Sequence, residues 1–281
     1  MPDLLPGPEL VCPTCLGPLA AVSPRQIACD ACARVVATWS EGHPGYIDFI
    51  GRVDTGARGL GPRLMHSRLL ARVYQRYWRP LFTAVAGGRL HDFEEELGLV
   101  ERALDTARGG VVVDLSCGPG ETARRLARSG AFERVYGLDW STAMLGECAA
   151  ACRADGSTLD LVRADVAHLP FDTGTIAGIH AGAALHVWPD PAAAAAEIGR
   201  VLRDGGGFVA STFAHHRLRV VHPLEAIVQW VSDARVFDEA QLCGLFAEYG
   251  LEDIQTYRRG SLILLWGRRR PRARAGGQDG R

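Results

Sequence analysis

Val111-Val-Val-Asp114-Leu-Ser-Cys-Gly118-Pro-Gly120 decides the fold: an apolar run closes on an acid and passes into a glycine-rich turn. Three consecutive valines suit a parallel strand covered on both faces, where β-branched residues run without alternation. Gly118 and Gly120 let the backbone turn sharply and approach a ligand, since a Cβ at either position would fill that space. The next segment has helical spacing in Ala123, Leu126 and Ala127 and a stop at Ser129-Gly130. Arg134 to Leu138 reads as a second strand, closed by Asp139 nineteen residues beyond Gly120. This is one βαβ unit, with an acid placed to accept both hydroxyls of a ribose. The turn alone leaves three readings open. It suits S-adenosylmethionine; its Gly118-Pro-Gly120-Glu-Thr-Ala123 also satisfies the GxGxxA form of a dinucleotide site; and such turns occur with no ligand.

The chain has 281 residues, 47% of them hydrophobic, enough for one large α/β domain with a small attachment. No stretch approaches the roughly 18 apolar residues of a membrane span, and the N-terminus lacks the pattern of a signal peptide, so the cytoplasm is the expected compartment. A formal charge of −1 offers no global field for a polyanion. Arginine is nonetheless uneven: residues 1–90 hold ten against six acids, and residues 268–281 hold six against one. All 31 Lys+Arg residues are arginine, which excludes a Schiff-base lysine, a pyridoxal phosphate site and a Walker A loop.

Four cysteines fall as Cys12-x2-Cys15 and Cys29-x2-Cys32. Two such pairs on tight turns present four thiolates as a tetrahedron, and in a reducing compartment this spacing belongs to a metal rather than to disulfides. The expectation is a structural zinc in a ribbon over 1–50, with no open coordination position for catalysis. Cys117, Cys148, Cys152 and Cys243 read as small buried hydrophobes.

Residues 51–107 read as a helical connector and lid, with apolar spacing at Leu64, Leu69, Val73, Tyr77, Leu81 and Val85 and a further helix over about 91–107. The βα alternation occupies 108–267. Ser141 caps a helix to about Ala154, Leu159 to Arg163 and Thr175 to Ala181 are strands, and Asp190-Pro191 starts a helix running to Arg203. Gly205-Gly-Gly207 separates that helix from a strand, an amphipathic insert spans 214–237, and Asp238 caps a last helix. Leu251 to Tyr257 and Ser261 to Trp266 are joined by so short a link that they must pair antiparallel, unlike the usual dinucleotide domain. Residues 268–281 read as a flexible basic tail.

Together these residues resemble the class I S-adenosylmethionine-dependent methyltransferases. Asp114-Leu-Ser-Cys-Gly118-Pro-Gly120, Leu138-Asp139-Trp140, Ala164-Asp165-Val166-x-x-Leu169-Pro170-Phe171 and Arg200-Val-Leu-Arg-Asp-Gly-Gly206 match four family motifs in order. The chain departs from them at Ser116, where the first glycine usually stands, and at Ala177, where many members carry an acid. It is most similar to zinc-ribbon-bearing plastid and bacterial members of unsettled substrate, which share His180-Ala-Gly-Ala-Ala-Leu-His186-x-Trp188-Pro189, and more loosely to ribosomal RNA guanine methyltransferases. The resemblance implies a doubly wound, mostly parallel seven-stranded sheet ending in an antiparallel hairpin, beside the small N-terminal ribbon. It also implies a cofactor site: Ser116, Gly118 and Gly120 pass the methionine moiety, and Asp114 lies near its ammonium. Asp139 takes the ribose diol, Trp140 covers the adenine, Asp165 with Val166 meets the adenine amine, and His180 lies alongside.

Methyl transfer from a sulfonium is an in-line displacement needing mainly alignment and a dry pocket. Where the acceptor is a hydroxyl or an acidic carbon, His186 and His180, at and beyond the end of the fourth strand, are the candidate bases; His215, His216 and His222 are further ones. Tyr74, Tyr77 and Trp78 are candidates for closing over the cofactor. The expected partner is a small organic acceptor, given the near-zero charge and the apolar insert around Ile227 and Trp230. The competing readings are an RNA base methyltransferase held by its arginine-rich segments, and a protein that keeps the cofactor only as a scaffold.

Overall fold

The computed structural model describes residues 7–40, 45–51, 93–213 and 235–272. The expected lid helices, with Tyr74, Tyr77 and Trp78, and nearly all of the insert, with His215, His216 and His222, lie outside the described residues.

The valine run forms β5 (Val111–Leu115) because its alternate side chains find apolar cover on both sheet faces. Val112 packs with Leu104, Ala123 and Leu126 on one side. Val113 and Leu115 join Tyr136, Leu138 and Ile179 on the other. Burying such a side chain contributes about 1.5–3 kcal/mol, so polar alternation here would be costly. Parallel to β5 run β6 (Arg134–Asp139) and β8 (Ile176–Ala181) as its two neighbours, with β7 (Asp160–Arg163) beyond β6 and β9 (Leu202–Phe213) beyond β8. A hairpin of β10 (Leu251–Arg259) and β11 (Leu262–Arg269) completes the sheet, β11 lying antiparallel to β9. The order β7-β6-β5-β8-β9-β11-β10 reverses direction at β5. Ligands of open α/β sheets bind at the carboxyl ends of the strands at such a reversal.

The helices are α1 (Phe93–Ala103), α2 (Glu121–Arg128), α3 (Thr142–Asp155), α4 (Pro191–Val201) and α5 (Glu239–Glu248). Ser141 caps α3 through Met144 N–H, Asp190 caps α4 through Ala192 and Ala193, and Asp238 caps α5 through Ala240 and Gln241. Each such cap is worth about 1 kcal/mol.

Three boundaries differ from the sequence expectation. Helix α4 stops at Val201 rather than Arg203, and the glycines do not end it: Leu202 already pairs with Ile176, and the chain then bulges before Gly207 rejoins β8 opposite Gly178. Gly205 takes the left-handed conformation, φ +73°, that this bulge requires. The last strand runs to Arg269, and the Arg272 guanidinium donates to the carbonyls of Gly199, Arg200 and Leu202 and pairs with Asp204, so the start of the expected tail, residues 268–272, is anchored; residues 273–281 lie outside the described residues. The ribbon, finally, is not a detached unit. Its strands β1 (Leu19–Ser23), β2 (Gln26–Cys29), β3 (Arg34–Trp39) and β4 (Tyr46–Asp48) continue the main sheet, β4 lying parallel to β7, so one sheet has eleven strands. Among the described residues no helix is long and apolar enough to cross a membrane.

Candidate active site

At the carboxyl end of the sheet the chain places Asp114 near the end of β5, Asp139 at the end of β6 and Asp165 two residues past β7. Adjacent parallel strands therefore bring three acids distant in sequence to one rim. Asp139 is buried, and its two oxygens accept the N–H groups of Gly118 (2.9 Å) and Ser141 (2.7 Å). Burial, with a smaller contribution from the charge of Asp114, pushes its carboxyl up to about 6 against those backbone donors. An ionised carboxylate has about four acceptor directions, so these bonds do not exhaust it. Asp165 is partly exposed and turns back to accept Ala167 N–H at 2.9 Å, while Val166 beside it is buried. The segment after it is clamped from α4: Arg200 donates to the carbonyls of Leu169 and Phe171, and Glu197 accepts Leu169 N–H.

Asp114 is committed in a way the resemblance did not imply. Its Oδ1 lies 2.6 Å from Nδ1 of His180, which β8 presents beside β5, and both side chains are buried. A carboxylate accepting there makes Nδ1 the protonated nitrogen and leaves Nε2 as the basic one. Gly182 makes room for the ring, because a Cβ there would come within 2.7 Å of His180 Cε1.

The two glycines of the turn do different things. Gly118, at φ +57°, has open space where a Cβ would stand. Gly120, at φ +75°, has Cys148 Sγ of α3 where a Cβ would stand, so its missing side chain makes room for helix packing. Ser116 also holds a left-handed backbone, φ +55°, which explains why a glycine is usual at this point of the motif. Its hydroxyl accepts from Trp188 Nε1 at 3.0 Å, tying the turn to the segment after β8.

His186 lies in that segment, on a short 3-10 turn (Leu185–Val187). Its ring is buried edge-on to Phe213, centroids 4.9 Å apart, and its Nδ1 has no hydrogen-bond partner among the described residues. Burial pushes its pKa down to about 4, so the imidazole is neutral across physiological pH. Trp140 is half-buried at the start of α3, and its carbonyl accepts from Arg163.

Trp188 and Arg163 were not among the candidates. Arg163 carried a signal, since a charged side chain closing an apolar buried strand demands a partner. The partner of Trp188 depends on strand order and could not be read from spacing.

The four thiols of the ribbon converge. All four Sγ atoms lie within 4.8 Å of one another, with Cys15 to Cys32 at 3.2 Å, Cys15 to Cys29 at 3.4 Å and Cys12 to Cys32 at 3.9 Å. A zinc tetrahedron with bonds of about 2.3 Å has sulfur–sulfur edges of about 3.8 Å, so the donor set fits that ion. Leu16 and Ala33, each directly after a Cys pair, take positive φ (57° and 51°) and fold the chain back around the cluster. Cys148 and Cys152 are buried as expected; Cys117 and Cys243 are partly exposed.

Residues 112–206 match the Methyltransferase domain family. An uncharacterised chloroplastic methyltransferase of Arabidopsis thaliana is 32% identical over 277 residues, covering 92% of this chain and 77% of that protein. The 2-phytyl-1,4-naphtoquinone methyltransferase of Thermosynechococcus vestitus is 34% identical over 148 residues, 52% of this chain and 64% of the relative. Among solved structures, phosphoethanolamine N-methyltransferase 2 of Haemonchus contortus, in complex with S-adenosylhomocysteine, superimposes with a TM-score of 0.61 at 13% identity, covering 75% of this chain and 59% of that one.

Proposed function

The chain belongs to the class I S-adenosylmethionine-dependent methyltransferases, and on that premise we propose that its acceptor is a small, largely apolar organic molecule methylated at a hydroxyl or an acidic carbon. The observation carrying this reading is His186, a buried neutral imidazole against the ring of Phe213 whose Nδ1 has no partner among the described residues. Such a group suits an apolar molecule with one hydrogen-bonding oxygen and gives nothing to a polyphosphate backbone. That a partial relative acts on a phytyl naphthoquinone agrees with this class of acceptor.

In this reading Asp139 accepts the ribose hydroxyls, Asp165 the adenine amine, Gly118 leaves the backbone open beside the methionine moiety, and Trp140 covers the base. The cofactor, when bound, supplies a methyl group already activated on a sulfonium. The chain's own work is alignment and proton management. Asp114 orients the ring of His180, the group nearest in chemistry to taking the proton that the acceptor releases. His186 orients the acceptor by one hydrogen bond, since a base with a pKa of about 4 is too weak to remove a proton near neutrality. The four ribbon cysteines hold a structural zinc and take no part in the chemistry.

The test is incubation of the full chain with methyl-labelled S-adenosylmethionine and cell extract, followed by partition. Label in a solvent-extractable, nuclease-resistant fraction is expected. Label confined to nuclease-sensitive polymer, or tight cofactor binding with no labelled product in any fraction, would refute the proposal.

A further inference from the structure

Arg163 ends β7, with the ribbon on one side of it and the ribose-facing strand on the other. Its backbone pairs with Asp48 of β4 and with Asp139 of β6, and its carbonyl accepts Phe49 N–H at 2.9 Å. Its side chain, 10% exposed, spans the same two neighbours. Nη1 donates to Asp48 Oδ2 at 3.0 Å and to the Gly51 carbonyl at 2.8 Å, while Nε donates to the Trp140 carbonyl at 2.9 Å. Asp48 is itself held, its Oδ1 accepting the N–H groups of Ile50 and Gly51 at 2.9 Å each. One rigid guanidinium thus joins the last strand of the cysteine ribbon to the residue directly after Asp139. Two residues beyond it in sequence stands Asp165.

A sheet edge needs no such link to be closed, because backbone pairing of β4 with β7 already closes it. A planar fork with donors pointing both ways fixes two elements relative to one another, which a point charge would not do. We infer that the ribbon is a positioning element of the cofactor site, acting through Asp48, Arg163 and the Trp140 carbonyl to set the adenosine end of the pocket. Arg163 is a positioning residue here and touches no reacting atom. The inference rests on the cofactor site proposed above. It adds that metal in the ribbon and nucleoside at the rim are thermodynamically linked, so each strengthens the binding of the other by the same factor.

The experiment uses the zinc-loaded full chain and measures the affinity of S-adenosylhomocysteine and of 5′-methylthioadenosine, which lacks the amino-acid end, by calorimetry, with thermal midpoints alongside. Arg163→Met keeps the apolar stem and removes every donor. Asp48→Asn keeps the acceptor for Ile50 and Gly51 and replaces the oxygen facing Arg163. Both are expected to weaken both ligands by about fivefold or more, the low end of ordinary coupling between sites. The cofactor KM should rise with kcat unchanged at saturation. Removing zinc from the wild-type chain should weaken the ligands by a similar factor, and removing it from Arg163→Met should add nothing, because the link is already cut. Unchanged affinities in folded Arg163→Met, or fully additive losses, would overturn the inference. If neither variant folds, zinc release from wild type to a chromogenic chelator decides: slower release with S-adenosylhomocysteine supports the coupling, and an identical rate ends it. A wild-type chain that binds neither ligand overturns the cofactor reading itself and this inference with it.

Discussion

Gly118 and Gly120 stand two residues apart in one turn, yet replacing each by alanine should fail in opposite ways. Both hold left-handed backbone, at φ +57° and +75°, so either alanine costs about 1–2 kcal/mol in strain. At Gly118 nothing in the protein lies within 4 Å of the new methyl, and the loss in stability stops there. At Gly120 the methyl would sit 2.2 Å from Cys148 Sγ, on a fully buried residue of α3 with no room to withdraw. Overpacking of that kind costs a further 1–3 kcal/mol or about that. For a domain of this size each kcal/mol moves the thermal midpoint by about 2–4 °C, which puts Gly120→Ala about 2–12 °C below Gly118→Ala. Ligand affinity should run the other way. Gly118→Ala fills the open space beside the proposed methionine moiety and should weaken S-adenosylhomocysteine by about tenfold or more, a loss of about 1.4 kcal/mol. Folded Gly120→Ala should bind nearly as wild type. The assay is calorimetric binding combined with thermal melts of both variants and of Gly120→Ala/Cys148→Ala. The double variant removes the clashing sulfur and should recover part of the lost stability, giving a coupling between the two sites in a double-mutant cycle. Normal binding by Gly118→Ala together with impaired binding by stable Gly120→Ala would refute this division of roles.

The buried Asp139 should make cofactor affinity fall with acidity: with its carboxyl raised to about 6, the dissociation constant of S-adenosylhomocysteine should be flat above pH 7 and rise about tenfold for each unit below 6, a dependence that Asp139→Asn abolishes in calorimetry over pH 5–8. Stability moves oppositely for this residue. A folded pKa above the ordinary value of 3.8 favours the fold at low pH, and that contribution is lost as pH rises through about 6. His186→Leu should leave the thermal midpoint and the cofactor KM nearly unchanged, since it removes a buried polar atom that has no partner among the described residues, while kcat/KM for the acceptor falls. Because burial lowers the pKa of His186 from 6.5 to about 4, its contribution to stability is present above 6.5 and is lost as pH falls toward 4; acid melts of wild type and His186→Leu should diverge in that window. Cys29→Ser, at a fully buried ligand position, should abolish the one zinc per chain that native mass spectrometry is expected to find.

What could be read from the sequence follows the range of each signal. Hydrophobic runs, caps and glycines act within a few residues, so β5, β6, α3 with its Ser141 cap and α4 with its Asp190-Pro191 start lie close to where spacing puts them. The short link at Arg258 to Gly260 likewise forces an antiparallel pair. The end of α4 was misplaced because a glycine run signals a break of any kind: here it breaks the pairing of β9 with β8, not the helix. The ribbon was legible as a cysteine cluster but not as an edge of the main sheet, since nothing in Tyr46–Asp48 names β7 as its neighbour.

The site was harder to read for a related reason. Three aspartates at strand ends look equivalent in sequence, and the neighbouring strands make them different. Asp139 faces backbone N–H groups in a buried setting and becomes a carboxylate that titrates near 6. Asp165 stands past the end of a short strand, partly in solvent, and closes a turn with one oxygen, which leaves the carboxylate further lone pairs. Asp114 meets a histidine sixty-six residues away because the sheet order reverses between β5 and β8, and one of its oxygens is committed to that ring. Strand order is thus itself chemical information: it decides which acid keeps its lone pairs for a ligand. Were β8 to lie at the sheet edge instead of beside β5, the same residues would leave Asp114 open to an ammonium and His180 without a fixed tautomer. The reversal that creates the binding crevice also assembles a buried acid–histidine pair at its rim.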